Sequence, residues 1–163
     1  MGSAADNEAM NRSILIALRR IIRAIDLHSH RLMDEHGLTG PQLAALHEIA
    51  RGGVVSASEV ARAMQLSQPT MTGILDRLER RKLITRTRSG TDRRTVDIGI
   101  TDEGRRLLAT APPLLQERFS TALARLQPWE QTMILATLQR IAAMMDAEDL
   151  PATPQLVTGP EQL

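Results

Sequence analysis

The sequence predicts a mainly α-helical protein that contains one small β-hairpin. Apolar residues recur at helical spacing along most of the 163-residue chain. The period changes to strict alternation at Val96, Ile98 and Ile100, which is typical of a half-buried strand. Two of the helices are separated by so few residues that they indicate a helix-turn-helix. A chain of this length holds one compact core, or a small domain with an oligomerisation element.

Composition excludes several classes of function. The chain has no cysteine, so disulfides, thiol catalysis and cysteine-based metal sites are impossible and a cytoplasmic location is the simple expectation. Aromatic residues are so rare, with only Phe119 and Trp129, that stacking on single-stranded bases is disfavoured. We find no signal peptide and no apolar run long enough to span a membrane. Without a glycine-rich phosphate loop or a nucleophile motif, we expect neither an enzyme nor a cofactor.

The first two predicted helices lie in the N-terminal third. Apolar residues from Ile14 onward follow one face of a helix of about 20 to 25 residues, which should end near Gly37. Thr39 and Gln42 have the spacing of a capping box, with Pro41 in the first turn of the second helix. The glycine pair at 52–53 should end that helix.

The helix-turn-helix follows directly. Ser56 and Glu59 form a second capping box, which opens a short helix ending near Leu66. After a turn of two or three residues, Ser67 can cap another helix with Pro69 in its first turn. The sequence then predicts a hairpin, in which residues 84–89 pair with the alternating strand across a turn at 89–92.

The C-terminal third is helical again. Thr101 can cap a helix whose first turn is acidic, and Pro112-Pro113 must either kink or interrupt it. A last helix begins at about Trp129. The proline-rich tail at 151–163 is expected to be disordered.

Charge is concentrated in one part of the chain. Between residues 67 and 94 eight basic residues stand against three acidic ones, a net charge of +5, whereas the remainder carries −4. Charge runs are usually solvated helix faces, but this one coincides with a helix-turn-helix and a hairpin. The pattern therefore indicates a surface that contacts nucleic acid.

Two segments carry a family resemblance, "LSQPTMTGILDRLERRKLITR" and "DRRTVDIGITDEGR". They resemble the recognition helix and the wing signature of the MarR family of winged helix-turn-helix transcriptional regulators, with Asp92, Arg94, Thr101 and Gly104 as the matching positions. The resemblance implies a homodimer with an N-terminal dimerisation helix (1–38), a winged helix-turn-helix lobe (39–101), C-terminal dimerisation helices (102–150) and a tail (151–163). Looser similarity, in "IIRAIDLHSHRL", "LTGPQL" and "APPLLQERF", points to members that control synthesis of osmoprotectants such as ectoine.

The resemblance also implies roles for individual residues. The second helix of the motif would enter the major groove of double-stranded DNA, and Arg93 at the wing tip would enter the minor groove. Arg94 would pair with Asp76 and so orient the wing, although the roles of the two arginines could be exchanged. Where the family usually has glycine at the end of this helix, the chain has Lys82, which puts the wing orientation in doubt. The residues predicted to contact DNA are Ser67, Gln68, Pro69, Thr70, Thr72, Gly73, Arg77, Arg86, Arg88, Arg93 and Arg94.

Relatives of this kind commonly sense small molecules in a crevice between the dimerisation helices and the lobe. By position, five residues could line such a crevice: His28, His30, Arg31, His36 and His47. Scattered histidines are more often surface or satisfied core residues. A zinc-sensing subgroup exists, but with no histidine after His47 we predict no metal site.

The sequence thus predicts a sequence-specific DNA-binding regulator, a repressor, that acts as a homodimer on an inverted repeat. A small-molecule or ionic signal would modulate its binding. The alternatives are a winged-helix scaffold for protein interactions and a nonspecific DNA-binding protein.

Overall fold

The computed structural model describes residues 4–88, 96–150 and 156. Within these ranges the chain forms seven α-helices and one small antiparallel sheet of three strands, so the mainly α prediction is confirmed. No helix in the described part of the chain is long and apolar enough to cross a membrane. In chain order the elements are α1 (Ala4–His36), α2 (Gly40–Gly52), β1 (Val54–Ser56), α3 (Ala57–Ala63), α4 (Gln68–Arg80), β2 (Ile84–Arg88), β3 (Val96–Ile100), α5 (Asp102–Thr110), α6 (Leu115–Leu123) and α7 (Pro128–Met144).

The helix starts follow the predicted caps. The backbone N–H of Thr39 donates to Oε1 of Gln42 over 3.1 Å at the start of α2. At the start of α3, the N–H of Ser56 donates to Oε2 of Glu59 over 2.7 Å. The Thr101 hydroxyl accepts the N–H of Gly104 over 3.0 Å and so caps α5. Each cap satisfies a backbone group that the helix itself leaves unpaired.

The sheet contains one strand that the sequence did not reveal. The predicted hairpin of β2 and β3 is confirmed, with Ile84 opposite Ile100 and Arg88 opposite Val96. The expectation of a two-stranded hairpin was nevertheless incomplete, because β1 pairs with the other edge of β3 and gives the order β1-β3-β2. β1 has three residues, too few for an alternating pattern to identify it. Its pairing positions the start of α3 beside the hairpin.

The start of α1 differs from the prediction, and the structure decides whether Pro112-Pro113 kinks or breaks the long helix. α1 has 33 residues and starts at Ala4, upstream of the predicted start at Ile14. The added turns are mostly polar and carry little apolar periodicity, which is why the apolar pattern gave too late a start. Pro112-Pro113 interrupts the long helix, since α5 ends at Thr110 and α6 begins at Leu115. A proline lacks the N–H that an unbroken helix would need there.

The hydrophobic core belongs almost wholly to the middle of the chain. All of its buried apolar side chains except Leu32 come from residues 38–98. None of the described side chains in α6 or α7 is buried, and Leu32 alone is buried in α1. The chain therefore consists of a self-contained lobe with long helices on either side of it in sequence.

Candidate nucleic-acid interface

The helix-turn-helix consists of α3, a four-residue connection and α4. Gln65 in the connection has a left-handed backbone with φ of +54°. This conformation brings the N–H of Leu66 to the carbonyl of Ala61 over 2.9 Å, which closes α3. The Ser67 hydroxyl then accepts the N–H of Thr70 over 3.3 Å, which starts α4 as predicted. The turn is thus closed by hydrogen bonds on both sides.

Burial defines the outward face of α4. Its apolar side packs into the core through Met71, Ile74, Leu75 and Leu78. The helix is only half enclosed, so the opposite side faces solvent. The exposed residues include all the predicted DNA-reading positions on this helix: Gln68, Pro69, Thr70, Thr72, Gly73 and Arg77.

The hydroxyl groups at the start of α4 already have local partners. Ser67 Oγ and Thr70 Oγ1 lie 2.8 Å apart. The Thr72 hydroxyl donates to the carbonyl of Gln68 over 2.9 Å. Hydroxyl oxygens that donate locally keep lone pairs for an outside donor. Gln68, whose side chain is exposed at the first position of α4, brings both a donor and an acceptor to the surface.

Gly73 leaves a gap on this face. A Cβ built at this glycine would have no heavy atom within 4 Å, so no neighbour in the described structure requires the side chain to be absent. The described structure therefore gives Gly73 no packing role, and its open side can be approached from outside the molecule.

Arg86 connects the hairpin to α4. From β2 its guanidinium reaches Asp76 Oδ1 at 2.7 Å and Glu79 Oε2 at 3.4 Å, and only 25% of the Arg86 side chain is exposed. Sequence reasoning counted Arg86 among the DNA contacts and paired Asp76 with Arg94. Arg93 and Arg94 both fall in residues 89–95, outside the described residues, so their roles stay predictions. Arg86 was missed as a wing-orienting residue because no sequence signal pairs it with α4.

Lys82 takes the left-handed conformation that the family usually assigns to glycine, with φ of +57°. The N–H of Lys82 donates to Glu79 O over 2.7 Å, and the N–H of Leu83 donates to Leu78 O over 3.0 Å. These two bonds make a Schellman motif, closed by buried Leu78 and Leu83. The helix therefore ends as a glycine-capped helix would, at the cost of an unfavourable backbone conformation.

The predicted crevice residues do not form one site. His28 lines a small cavity of about 10 Å³ with Leu32 and Leu114, whereas His47 lines a separate, open cavity of about 390 Å³. The His30 ring contacts the carbonyl of Asp26 at 2.8 Å. His36 lies at the end of α1, beside Glu35. Arg31 is exposed on α1.

His28 is the histidine most affected by its surroundings. Its Nε2 atom is buried without a hydrogen-bond partner in the described part of the chain. Burial, followed by the positive charges of Arg118 and Arg31, lowers the pKa of His28 below its usual value. Both effects favour the neutral form of the ring. Among residues 4–88 and 96–150, no group of three or more histidine and acidic side chains is placed to hold a metal ion.

The sequence of this chain is similar to those of known proteins. The family model described as "MarR family" matches residues 36–95, from the end of α1 through the hairpin. The transcriptional repressor MdtR of Bacillus subtilis (strain 168) is 34% identical over 91 residues, which cover 56% of this chain and 59% of the repressor. The homoprotocatechuate degradative operon repressor of Escherichia coli is 26% identical over 144 residues, 87% of this chain and 97% of that protein.

The middle of this chain, residues 36–95, is therefore similar to the MarR family. Both of these similar proteins are named as repressors. The same fold occurs in the crystal structure of the S. aureus MepR-DNA complex, with a TM-score of 0.58 and 24% identity over 79% of this chain and 96% of that one. The PcaV regulator of Streptomyces coelicolor has a TM-score of 0.55 and 25% identity over 80% of this chain and 95% of its own.

Proposed function

We propose that this chain is a MarR-family repressor that binds an inverted-repeat operator as a homodimer. The observation that carries the proposal is the outward face of α4, which presents amide, hydroxyl and guanidinium groups from a helix anchored by four buried apolar residues. A helix in that position matches the major groove, where a glutamine can bond an adenine edge bidentately. Such a regulator acts on the genome, which favours the cytoplasm.

We assign sequence reading to the N-terminal half of α4. Gln68 and Thr70 are the base-reading candidates, Ser67 and Thr72 bond base or phosphate through their remaining lone pairs, and Pro69 contributes an apolar surface. Gly73 allows the helix to approach the bases. The exposed guanidiniums of Arg77 and Arg88 neutralise phosphate charge.

We assign the wing a separate task. Arg93 enters the minor groove, where narrow A·T-rich segments attract a guanidinium. Arg86, held by Asp76 and Glu79, orients the wing from its first strand. We keep the predicted pairing of Arg94, which lies outside the described residues, with Asp76.

Two copies of the chain are needed to explain the apolar surface outside the lobe. Exposed apolar side chains follow α1, α6 and α7, among them Ile22 (54% exposed) and Trp129 (65%). Long helices in water must bury such faces, and in a symmetric oligomer the same patch on each copy covers the other. The dimer then presents two recognition helices to successive half-sites, about one helical turn of DNA apart.

We place signal reception where the lobe meets the helices outside it. The cavities beside His28 and His47 share Leu114 and Gln116 in their walls, so both touch the segment between α5 and α6. A small molecule or a change in ionic conditions acting there would alter how the lobe sits on the dimer. The subgroup that controls osmoprotectant synthesis remains our candidate biological setting.

The proposal is tested by binding the purified protein to fragments of its source genome, with footprinting at two salt concentrations. We expect a protected inverted repeat. Gln68→Ala should bind it about 5- to 150-fold more weakly, because one bidentate base contact is worth about 1–3 kcal/mol. Gln139→Ala, a substitution of the same type on α7, is the control and should leave binding unchanged.

Uniform, salt-sensitive binding of all fragments, unaffected by Gln68→Ala, would mean that the protein binds DNA without sequence preference. Weak binding to every fragment would instead favour a scaffold for other proteins.

A further inference from the structure

Three consecutive basic residues end the recognition helix, and the structure separates their roles. Arg80 is exposed on α4, and Lys82 forms the left-handed cap. Arg81 is also exposed, but it donates hydrogen bonds to the carbonyls of Gly37 and His36, the latter over 2.9 Å. The sequence alone treats all three as equivalent positive charges, because the contacts of Arg81 lie 44 and 45 positions away in the chain.

The partners of Arg81 lie at the C-terminal end of α1. The last carbonyls of a helix have no partner within the helix and carry partial negative charge. A guanidinium presents a planar fork of donors that can bond two carbonyls at once, which an ammonium group cannot reproduce with the same geometry. Arg81 thus satisfies the end of α1 with a group from α4.

Gly37 makes this contact possible. Its φ of +61° is a conformation that favours glycine, and a Cβ there would lie 3.3 Å from both Nη atoms of Arg81. A side chain at position 37 would therefore strain the backbone and displace the guanidinium. The glycine that ends α1 also provides the site where α4 is attached.

A second link joins the same end of α4 to α5. The N–H of Thr101 donates to Leu83 O over 3.0 Å, and its hydroxyl donates to Lys82 O over 2.8 Å. The C-terminal end of α4 is thus tied to α1 by Arg81 and to the start of α5 by Thr101. α1 is itself one of the helices that we propose form the dimer, and α5 directly precedes the other two, α6 and α7.

We propose that Arg81 is a positioning residue for DNA recognition, which fixes the recognition helix to α1 without contacting DNA. The inference rests on the proposed homodimer: because α1 is shared with the dimer interface, the Arg81 contact sets the separation of the two recognition helices. Arg81 therefore determines which spacing of operator half-sites the protein accepts. Arg80, by contrast, is exposed and acts through its charge.

The test measures binding of the full-length protein to its operator and to versions with half-sites moved one base pair closer or further apart, over a series of salt concentrations. We expect Arg81→Ala to weaken binding at the natural spacing about ten-fold, as the loss of charge-assisted hydrogen bonds would do. Binding at the altered spacings should change little, and the salt dependence should keep its slope. Arg80→Ala is the matched control, which should reduce that slope by about one and keep the spacing preference.

Two further variants separate geometry from charge and folding. Arg81→Lys keeps the positive charge but lacks the planar guanidinium that bonds both carbonyls. Gly37→Ala keeps Arg81 but places a Cβ against its guanidinium. Both should lose spacing preference while remaining folded dimers by circular dichroism and light scattering.

If Arg81→Ala lowers the salt slope as Arg80→Ala does and keeps the spacing preference, Arg81 is a phosphate contact and the inference is wrong. A wild-type protein that shows no operator preference would instead overturn the proposed function, and the inference with it.

Discussion

At the scale of single residues, we propose that the missing side chain of Gly73 serves DNA binding. It lies in the middle of the exposed face of α4, and a Cβ there would touch nothing in the described structure. Glycine within a helix costs about 1 kcal/mol relative to alanine. Because Gly73 weakens the helix without improving its packing, we interpret it as a position that DNA approaches closely.

We therefore expect Gly73→Ala to stabilise the protein and to impair its function. The free energy of unfolding should rise by about 1 kcal/mol in urea denaturation. Operator affinity should fall at least about ten-fold, because the added methyl group would hold the helix away from the base edges that it must reach within hydrogen-bond distance. Binding to nonspecific DNA, which relies on phosphate contacts, should change much less. Equal operator affinity for both proteins would show that Gly73 is not a point of close approach.

His28 provides a prediction about pH. Its pKa is lowered by burial and by nearby arginines, whereas in the unfolded chain it returns to about 6.5. As the pH falls below that value, the unfolded chain takes up a proton that the folded protein resists, so the free energy of unfolding decreases. The melting temperature should therefore fall less steeply in His28→Leu than in the wild type between about pH 7 and pH 5. Parallel curves for the two proteins would contradict the assignment.

At the scale of secondary-structure elements, the left-handed end of α4 is a point of weakness that can be repaired. A left-handed residue with a side chain costs about 1–2 kcal/mol, and glycine loses about 0.5–1 kcal/mol through its greater freedom in the unfolded chain. Lys82→Gly should accordingly raise the free energy of unfolding by about 0.5–1 kcal/mol. Arg80→Gly, two positions earlier within the helix, should lower it by about 1 kcal/mol. Thermal denaturation of the pair checks the sign of both effects.

The junction of β3 and α5 depends on another glycine, for a different reason. A Cβ on Gly104 would lie 2.3 Å from the carbonyl oxygen of Leu83 and 2.7 Å from the Ile100 side chain. Gly104→Ala should therefore cost about 1–3 kcal/mol, the usual penalty for overpacking. Gly73→Ala, also a glycine-to-alanine change within a helix, should have the opposite sign. Urea denaturation of the two variants together tests the argument, and a Gly104→Ala protein as stable as the wild type would refute it.

The elements that sequence could predict are those specified by neighbouring residues. The caps at Thr39, Ser56, Ser67 and Thr101 each depend on residues within one turn, and all four helices begin where the caps predict. The long-range contacts were not predictable in this way. Pairing of β1 with β3, the contact of Arg86 with α4 and that of Arg81 with α1 join residues far apart in sequence, so no local pattern records them.

The same limit applies to the candidate site. Amphipathic spacing was enough to place the predicted reading residues on the exposed face of α4, because one helix carries them all. It could not divide the basic residues into those that face solvent and those that hold the lobe together. That division depends on which carboxylate or carbonyl the fold brings near each guanidinium.

At the scale of the whole molecule, burial divides the chain into two kinds of structure. The lobe contains nearly all of the core, whereas α1, α6 and α7 expose large apolar side chains along their length. Local caps can start such helices, but tertiary packing normally supplies most of a helix's stability. These helices should therefore be fully stable only when a second copy of the chain covers them. Stability and operator binding then depend on the same association.

We expect the wild type to be a dimer of about 36 kDa, twice the 18.0 kDa of one chain. Its melting temperature should rise with protein concentration, because association stabilises only the folded state. Leu138→Glu adds a charge to an exposed apolar side chain on α7, and burying that charge in the interface would be costly. This variant should become monomeric in analytical ultracentrifugation and lose operator affinity at least about ten-fold. Gln139→Glu adds the same charge beside the apolar face and should remain dimeric, so a monomeric wild type, or a Leu138→Glu variant that stays dimeric, would show that α7 does not form the interface.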